Sequence, residues 1–250
     1  MFGSKRVVCI IPARLASTRF PQKLLHNLCD KPILQWVFEA ARSVSSFDDV
    51  VFAVDAQQTF DLVRSFGGKA IMTSPDCQSG TDRLIEVVYS KKYIADIWVN
   101  WQGDEPFITE KMIQQLLATC ETDDTDVWTL KKKIKFSADI ASASIAKVVC
   151  DANDFAIYFS RNAIPFYRED SIEERCYYKH VGLYAYTTKA LETIASLGAS
   201  DLEEAEKLEQ LRFLQNRMKI KVHETDQEVV GIDTPQDLVK AELIAKNTSL

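Results

Sequence analysis

Apolar and polar positions along the first half of the chain alternate in the order strand, helix, strand, helix. Short apolar runs with the length of buried strands are separated by segments in which apolar residues recur every three or four positions. The predicted strands are Val7–Ile11, Val50–Val54, Ala70–Thr73 and Ile97–Trp101. The predicted helices are Ile33–Ser43, Thr59–Phe66, Thr81–Tyr89 and a segment from Thr109 to about Cys120. This order predicts an α/β fold with a mainly parallel sheet and helices on both faces.

The pattern changes near Val127, where short β-like runs follow one another with few helical signals. They predict an antiparallel β layer inserted at about residues 127–190 beside the parallel sheet. The runs are Val127–Leu130, Ala146–Val149, Ala156–Phe159 and Val181–Tyr186, with a short helix near Phe136–Ser142. Beyond them we predict one helix over Leu202–Asn216, strands at Ile220–His223 and Val229–Ile232, and a helix from Pro235. Because no repeat or linker interrupts the chain, we expect a single domain over residues 1–250.

Composition narrows the classes of protein that remain. A net charge of −6 argues against a general nucleic-acid surface. Six cysteines without a CxxC pair indicate reduced thiols, and with only three histidines they disfavour a structural zinc site. No apolar run approaches the length of a membrane span. We therefore expect a soluble, cytoplasmic protein that binds neither nucleic acid nor membrane.

Three cations follow the first predicted strand in the stretch IIPARLASTRFPQKLL. Arg14, Arg19 and Lys23 are separated by small and turn-forming residues. Open α/β sheets bind ligands beyond the carboxyl ends of their strands. Backbone amides and cations in such a loop can hold phosphate oxygens. The sequence thus favours a phosphate-binding loop, and the alternative is a solvated basic loop.

Two acidic residues form a candidate metal site. Asp104 in QGDEP follows the strand Ile97–Trp101, and Asp233 in GIDTPQDL follows another β-like run. Mg²⁺ prefers one or two carboxylates together with ligand phosphates and water. A lone aspartate would more readily be a turn or helix-capping residue, but two acids at one sheet edge favour Mg²⁺.

Several other polar residues have no distinctive signature of their own. His180 begins an apolar run and is more often structural there, and Arg161 is equally ambiguous. Glu209 and Gln210 suit a solvated helix face, and Lys131–Lys133 suits a solvent-facing edge. The chain has neither GxGxxG after the first strand nor GxxxxGK[ST], which disfavours a classical dinucleotide site and a P-loop NTPase.

Seven blocks of sequence together resemble one family. They are IIPARLASTRFPQKLL, QSGTDRL, NWQGDEPF, YFSRNAIPFY, KHVGLYAY, LEQLRFL and GIDTPQDL. In this order, over about residues 6–245, they resemble the CMP-Kdo synthetases, the 3-deoxy-manno-octulosonate (Kdo) cytidylyltransferases. The first block alone indicates only the wider nucleotide–sugar transferase superfamily, whereas QGDEP, FSR and LEQLR indicate this member. The resemblance implies a Rossmann-like nucleotide-diphospho-sugar transferase fold with the antiparallel layer as an insertion.

The resemblance also implies a reaction and a set of site residues. The anomeric hydroxyl of Kdo attacks the α-phosphate of CTP, giving pyrophosphate and CMP-Kdo, which activates Kdo for lipopolysaccharide synthesis. Arg14, Lys23 and Asp104 are then the catalytic residues, and Asp104 with Asp233 binds Mg²⁺. The implied CTP-binding residues are Arg14, Arg19, Lys23, Gly80, Thr81, Asp82 and Arg83. The implied Kdo-binding residues are Gln102, Arg161, His180, Tyr184, Glu209 and Gln210, with His180 as a hydrogen-bond donor.

The chain departs from the family pattern in the first block. Where the family commonly has Leu-Pro-Gly-Lys-Pro-Leu, this chain has Phe20–Leu25, so Gln22 replaces a glycine while Lys23 is kept. The family further implies a homodimer in which the antiparallel insertion contributes to the interface. The competing hypotheses are the same chemistry on another sugar acid such as a sialic acid, a nucleotide-binding regulatory protein, and a flavodoxin-like or dinucleotide-binding oxidoreductase. Selectivity for CTP over UTP does not follow from the side chains.

Overall fold

A computed structural model describes residues 5–17, 19–169 and 175–248. Its strands are β1 (Val7–Ala13), β2 (Asn27–Leu28), β3 (Lys31–Pro32), β4 (Asp49–Val54), β5 (Lys69–Met72), β6 (Ile97–Asn100), β7 (Val127–Lys133), β8 (Lys147–Cys150), β9 (Ala156–Ser160), β10 (Tyr178–Thr187) and β11 (Ile220–Glu224). Its α-helices are α1 (Ile33–Arg42), α2 (Gln57–Ser65), α3 (Gly80–Tyr89), α4 (Glu110–Leu116), α5 (Ser137–Ala141), α6 (Thr188–Ala195), α7 (Asp201–Glu206), α8 (Gln210–Gln215) and α9 (Pro235–Thr248). A single 3₁₀ turn covers Lys23–Leu25. The mixed α/β class predicted from the pattern is confirmed.

The chain forms two compact units. The first comprises residues 1–114 and 228–250, and the second comprises residues 115–227. The predicted antiparallel insertion at about 127–190 falls within the second unit, and the assignment of one domain to residues 1–250 stays a prediction. None of the helices within the described ranges combines the length and apolar character needed to cross a bilayer.

The first unit contains a four-stranded parallel sheet in the order β6-β1-β4-β5. All seven residues of β1 are buried, as expected for a strand covered by helices on both sides. Helix α1 buries an apolar stripe consisting of Ile33, Leu34, Val37, Phe38 and Ala41. Because the strands are parallel, their carboxyl ends lie at one edge, and the loops that follow them lie together there.

The second unit is built on mixed pairing. Strand β7 runs parallel to β11 and antiparallel to β10, while β8 pairs antiparallel with both β10 and β9. The ladder between β7 and β10 shifts register between Val181 and Tyr184, which is a bulge in β10. The antiparallel layer predicted from the short β-like runs is confirmed.

Three local predictions were wrong, and one helix was missed. The run Val229–Ile232 is not a strand; the backbone N–H of Ile232 instead donates to the carbonyl of Asp104 at 2.9 Å. The predicted helix Leu202–Asn216 is broken into α7 and α8 at Lys207, whose φ of 52° is left-handed. Helix α6 was missed, although Thr187 caps it by accepting the N–H of Ala190.

The third wrong prediction concerns Lys131, which was predicted to lie on a solvent-facing edge. Strand β7 lies between β10 and β11, so it is not an edge strand. Lys131 is only 8% exposed and donates to Asp154 Oδ1 at 2.6 Å. A buried ammonium requires such a partner, which a run of lysines in the sequence does not reveal.

Candidate active site

A pocket lies beyond the carboxyl ends of the parallel strands of the first unit. Its volume is about 260 Å³. The sequence predicted seven of its lining residues: Arg14, Lys23, Gly80, Arg83, Gln102, Asp104 and Asp233. The other six lining residues were not predicted as site residues, and they are Pro12, Leu24, Cys77, Gln78, Ser79 and Gly103. The predicted phosphate loop and the predicted pair of acids therefore share one pocket.

Lys23 links the two acids. Its Nζ donates to Asp104 and, at 2.8 Å, to Asp233 Oδ1. Arg19 also pairs with Asp233, with 2.9 Å between NH2 and Oδ2. The bond from Ile232 to the Asp104 carbonyl holds the segment of Asp233 beside that of Asp104. This clip explains how acids 129 positions apart in the sequence reach the same ammonium (233 − 104).

Two pKa values are perturbed here. Burial opposes the charge on Lys23, but Asp104 and Asp233 outweigh it and raise the pKa of the ammonium. Glu105, which the sequence reasoning passed over, has a pKa well above its usual value because it is buried beside the negative charges of Asp104 and Asp233. Its Oε2 is buried and has no hydrogen-bond partner among the described residues.

The loop between β5 and α3 is held by side chains of that helix. Ser79 and Asp82 form a capping box, and Asp82 also accepts the N–H of Gln78 at 3.0 Å. Glu86 accepts the N–H of Ser74 at 2.8 Å and the thiol of Cys77 at 3.2 Å. Asp82 therefore shapes the loop that lines the pocket, and the direct contact with cytidine implied by the resemblance stays a prediction.

Arg83 has a comparable structural task. Its guanidinium donates to Asp55 Oδ2 at 2.8 Å, to Thr73 Oγ1 at 2.9 Å and to the Ser74 carbonyl at 3.0 Å. Asp55 in turn accepts the N–H of Leu15 at 2.8 Å. Arg83 thus connects α3 to the ends of β4 and β5 and, through Asp55, to the basic loop. Thr81 is 2% exposed and does not line the pocket.

Two pocket residues require the absence of a side chain. A Cβ on Gly103 would lie 2.9 Å from the carbonyl oxygen of Pro12, and one on Gly80 would lie 3.2 Å from the Gln102 amide. Gln22, at the position where the family commonly has glycine, adopts a left-handed φ of 53°. A glycine would take this conformation more readily, so the substitution adds local cost without moving Lys23 from the pocket.

His180 lies in the second unit, beside the bulge of β10. Its Nε2 is 3.0 Å from Thr129 Oγ1, whose hydroxyl donates to the carbonyls of Val181 and Leu183, both at 3.0 Å. The hydrogen between Oγ1 and Nε2 can belong to either atom, depending on the tautomer of the imidazole. Nδ1 is 3.5 Å from the amide nitrogen of Gln210. The role of His180 as a donor toward the sugar stays a prediction.

The surroundings of His180 keep it neutral. Burial lowers the pKa of the imidazole to about 3. Tyr184 lies against it, with ring centroids 5.4 Å apart. Burial, followed by the charges of Tyr186 and Glu209, raises the pKa of Tyr184 well above its usual value. His180, Tyr184, Glu209 and Gln210 therefore share one neighbourhood.

The remaining two residues of the predicted sugar set have hydrogen-bond partners of their own. Arg161 belongs to the second unit, where its guanidinium donates to the main-chain carbonyls of Ala143, Glu206 and Lys207. Gln102 belongs to the first unit and donates to Asn100 Oδ1 at 3.2 Å. Arg161 and Gln102 thus each bond to residues of their own unit. The binding of a sugar by these residues stays a prediction.

Sequence reasoning missed Asp55, Glu105 and Glu206. Asp55 directly follows the strand β4, which is the same signal that indicates Asp104 as a pocket residue. Glu105 has no sequence signal that distinguishes it from its neighbour Asp104. Glu206 likewise cannot be distinguished from the other acids of its helix. Across the described ranges, no group of three or more His, Cys, Asp or Glu side chains is arranged to hold a metal ion.

Comparisons with known proteins show similarity to cytidylyltransferases. A family model described as "Cytidylyltransferase" matches residues 8–220. A 3-deoxy-manno-octulosonate cytidylyltransferase of Thermodesulfovibrio yellowstonii is 46% identical over 246 residues, covering 94% of this chain and 96% of the relative. One from Bacteroides thetaiotaomicron is 46% identical over 249 residues, covering 96% and 98%. A solved structure of a CMP:2-keto-3-deoxy-manno-octonic acid synthetase complexed with CTP superposes with a TM-score of 0.91 at 39% identity, covering 97% of this chain and 99% of the other.

Proposed function

This chain belongs to the family of 3-deoxy-manno-octulosonate cytidylyltransferases, and from that premise we propose how its residues carry out the reaction. The enzyme transfers CMP from CTP to Kdo. The anomeric oxygen of Kdo forms a bond to the α-phosphorus, the bond from that phosphorus to the bridging oxygen breaks, and pyrophosphate leaves. Such transfers depend on positioning and charge neutralisation more than on a covalent nucleophile. The product, CMP-Kdo, is the activated form of Kdo for lipopolysaccharide synthesis.

The triphosphate of CTP binds to the cations of the basic loop. Arg14 and Lys23 line the pocket, and Arg19 reaches its margin through Asp233. Ser79 and Gly80 lie at the amino end of α3, where backbone N–H groups favour a phosphate oxygen. The observation that carries this proposal is the meeting of these cations with Asp104 and Asp233 in one pocket at the strand ends. Gly80–Arg83 then supply the wall nearest the cytidine.

Asp104 and Asp233 suit Mg²⁺. Their carboxylates already converge on a single cation, the Nζ of Lys23. Carboxylate oxygens supplemented by phosphates and water are what Mg²⁺ prefers. When bound, Mg²⁺ would neutralise charge that develops on the phosphates. The residues of this chain orient the triphosphate, and burial together with the charges of Asp104 and Asp233 raises the pKa of Glu105 beside them.

Within the second unit, the proposed ligands of the sugar acid are Arg161, His180, Tyr184, Glu209 and Gln210. The neutral His180 offers one N–H donor and one acceptor nitrogen to the polar groups of the sugar. Arg161 supplies positive charge for the carboxylate of Kdo. The tyrosine–histidine contact fixes the orientation of the imidazole.

The enzyme is further proposed to be a cytoplasmic homodimer. The second unit exposes three large apolar side chains, Phe136 at 70%, Ile157 at 61% and Phe166 at 86%, which are candidates for burial against a second copy. All six cysteines are free, which suits a reducing compartment. Analytical ultracentrifugation tests the dimer, because sedimentation as a 28.3 kDa monomer at micromolar concentration contradicts it.

Pyrophosphate release in the presence of CTP and Mg²⁺, with and without Kdo, tests the reaction. We expect release that depends on Kdo, and a panel with a sialic acid and with UTP tests the sugar acid and the base. Asp104→Asn is expected to fold normally but to lower kcat by about two orders of magnitude or more, because a metal ligand is lost. Binding of CTP without any release would instead indicate a regulatory protein. Wild-type kcat in Asp104→Asn would remove Asp104 from the site.

A further inference from the structure

The second unit contains a completely buried lysine, Lys147, with 0% exposure. Its Nζ donates to the carbonyls of Ser142 at 2.9 Å, Ile145 at 2.8 Å and Arg161 at 2.5 Å. An ammonium has three N–H donors, so these three carbonyls satisfy it fully. Lys147 therefore ties the loop before β8 to the backbone of Arg161.

Glu206 holds the same segment from the opposite direction. Its carboxylate accepts the hydroxyl of Ser160 at 2.6 Å and the N–H of Arg161 at 2.9 Å. Arg161 returns two bonds to the end of α7, from Nε to the Glu206 carbonyl at 2.6 Å and from NH2 to the Lys207 carbonyl at 3.1 Å. These bonds satisfy carbonyls at the end of a helix and explain why α7 stops there. The next helix, α8, begins at Gln210, which contacts His180.

The cluster of Lys147, Arg161 and Glu206 has an excess of positive charge. It contains two cations and one carboxylate. Burial, followed by the charge of Arg161, lowers the pKa of Lys147. Arg161 uses three of its five N–H donors on main-chain carbonyls in the described part of the chain, so two remain for an anionic ligand.

We propose that Glu206 is a positioning residue for the sugar acid, which it serves by fixing Arg161 and the turn that leads to Gln210. This inference rests on the proposed function only in taking the ligand to be a sugar with a carboxylate. Glu206 itself does not contact the ligand. Its carboxylate fixes the backbone from which the guanidinium extends, so that the two remaining N–H donors are preorganised for the carboxylate of the sugar, while Lys147 anchors the same backbone.

Glu206→Gln tests the proposal with little change in size. A glutamine oxygen can accept from Ser160 or Arg161, but its amide group then meets the other donor, so one charge-assisted bond is lost. We expect KM for Kdo to rise about tenfold, while KM for CTP stays within about twofold. Glu204→Gln is the matched control, because Glu204 is exposed on the same helix and the charge change is identical. A purely structural role would lower the melting temperature without separating the two KM values.

Hydrogen exchange of the substrate-free protein gives a second readout that does not depend on turnover. We expect faster exchange in Glu206→Gln over residues 206–210 and at Arg161, and no change over Val127–Leu130. Unchanged exchange in Glu206→Gln, or parallel rises in KM for both substrates, would overturn the proposal. If the wild type shows no Kdo-dependent release, the proposed function fails, whereas the exchange experiment still decides whether Glu206 fixes this segment.

Discussion

Lys23 occupies the place between Asp104 and Asp233 that a metal ion would require. Its ammonium donates to both carboxylates, so a divalent ion that binds in the absence of nucleotide has to displace it. When CTP is bound, Lys23 can pair with the phosphates, as proposed above, and release the two carboxylates. Substituting Lys23 by methionine removes this competition while preserving most of the side chain volume. We therefore predict that Lys23→Met binds a divalent metal more tightly than the wild type when no nucleotide is present.

The magnitude follows from the exposure of the three side chains. Lys23 is 14% exposed, Asp104 23% and Asp233 44%, so the pair with Asp233 is substantially screened by water. Fully exposed ion pairs contribute about 0–1 kcal/mol, whereas hydrogen bonds to charged groups contribute about 1.5–3 kcal/mol. For this partly exposed pair we take about 1–2 kcal/mol in total, which corresponds to a metal affinity roughly ten times higher.

The assay is titration of free Mn²⁺ by electron paramagnetic resonance, with Mg²⁺ calorimetry as a check. Lys69→Met is the matched control, since Lys69 begins β5 at the opposite end of the sheet and pairs with Asp49. It loses the same charge without touching the pocket. With CTP present the order should reverse, because Lys23→Met has lost a phosphate partner. Equal or weaker Mn²⁺ binding by Lys23→Met in the absence of CTP would refute the reasoning.

Two further predictions concern stability. Arg83→Met leaves Asp55, whose side chain is 10% exposed, without its cation, and it should lower the free energy of unfolding in urea by about 3–5 kcal/mol. The matched control Arg64→Met, at an exposed position, should change that free energy little. A loss below about 1 kcal/mol in Arg83→Met would contradict the prediction. Burial lowers the pKa of His180 from 6.5 to about 3, so between these values the unfolded chain binds one more proton and acidification destabilises the folded state by up to about 1.4 kcal/mol per pH unit. His180→Gln should remove the contribution of His180 to that slope in urea unfolding between pH 7 and pH 5, with the exposed His26→Gln as the control. His223, whose pKa is also lowered by burial, keeps its own contribution, and an unchanged slope in His180→Gln would refute the assignment to His180.

The sequence was most informative where a continuous apolar run marked a buried strand and polar residues followed directly at its carboxyl end. The buried run of β1, the helix α1 and the strand before Asp104 were placed correctly because burial on a parallel sheet leaves a continuous apolar pattern. Asp104 and Lys23 could be predicted as pocket residues since strand ends in such sheets are binding sites.

Tertiary contacts account for most of what sequence reasoning missed. The break between α7 and α8 depends on Arg161, which is 46 positions from Lys207 in the chain and takes its carbonyl. An apolar stripe continues across the break, so periodicity predicts one helix. The hydrogen bonding of His180 likewise depends on Thr129, on another strand. Neither interaction leaves a pattern in the local sequence.

The candidate site is organised by exchange of ionic partners. In the free protein Lys23 and Arg19 pair with Asp104 and Asp233, and burial together with the charges of these two acids raises the pKa of Glu105. CTP brings negative charge that suits the cations, and a divalent metal brings positive charge that suits the acids. Binding both ligands together replaces internal ion pairs with ionic contacts to the ligands. The free-energy cost of desolvating the charged side chains therefore falls largely on folding and not on ligand binding. Either ligand alone leaves one set of charges uncompensated, and we therefore expect the metal and the nucleotide to bind cooperatively.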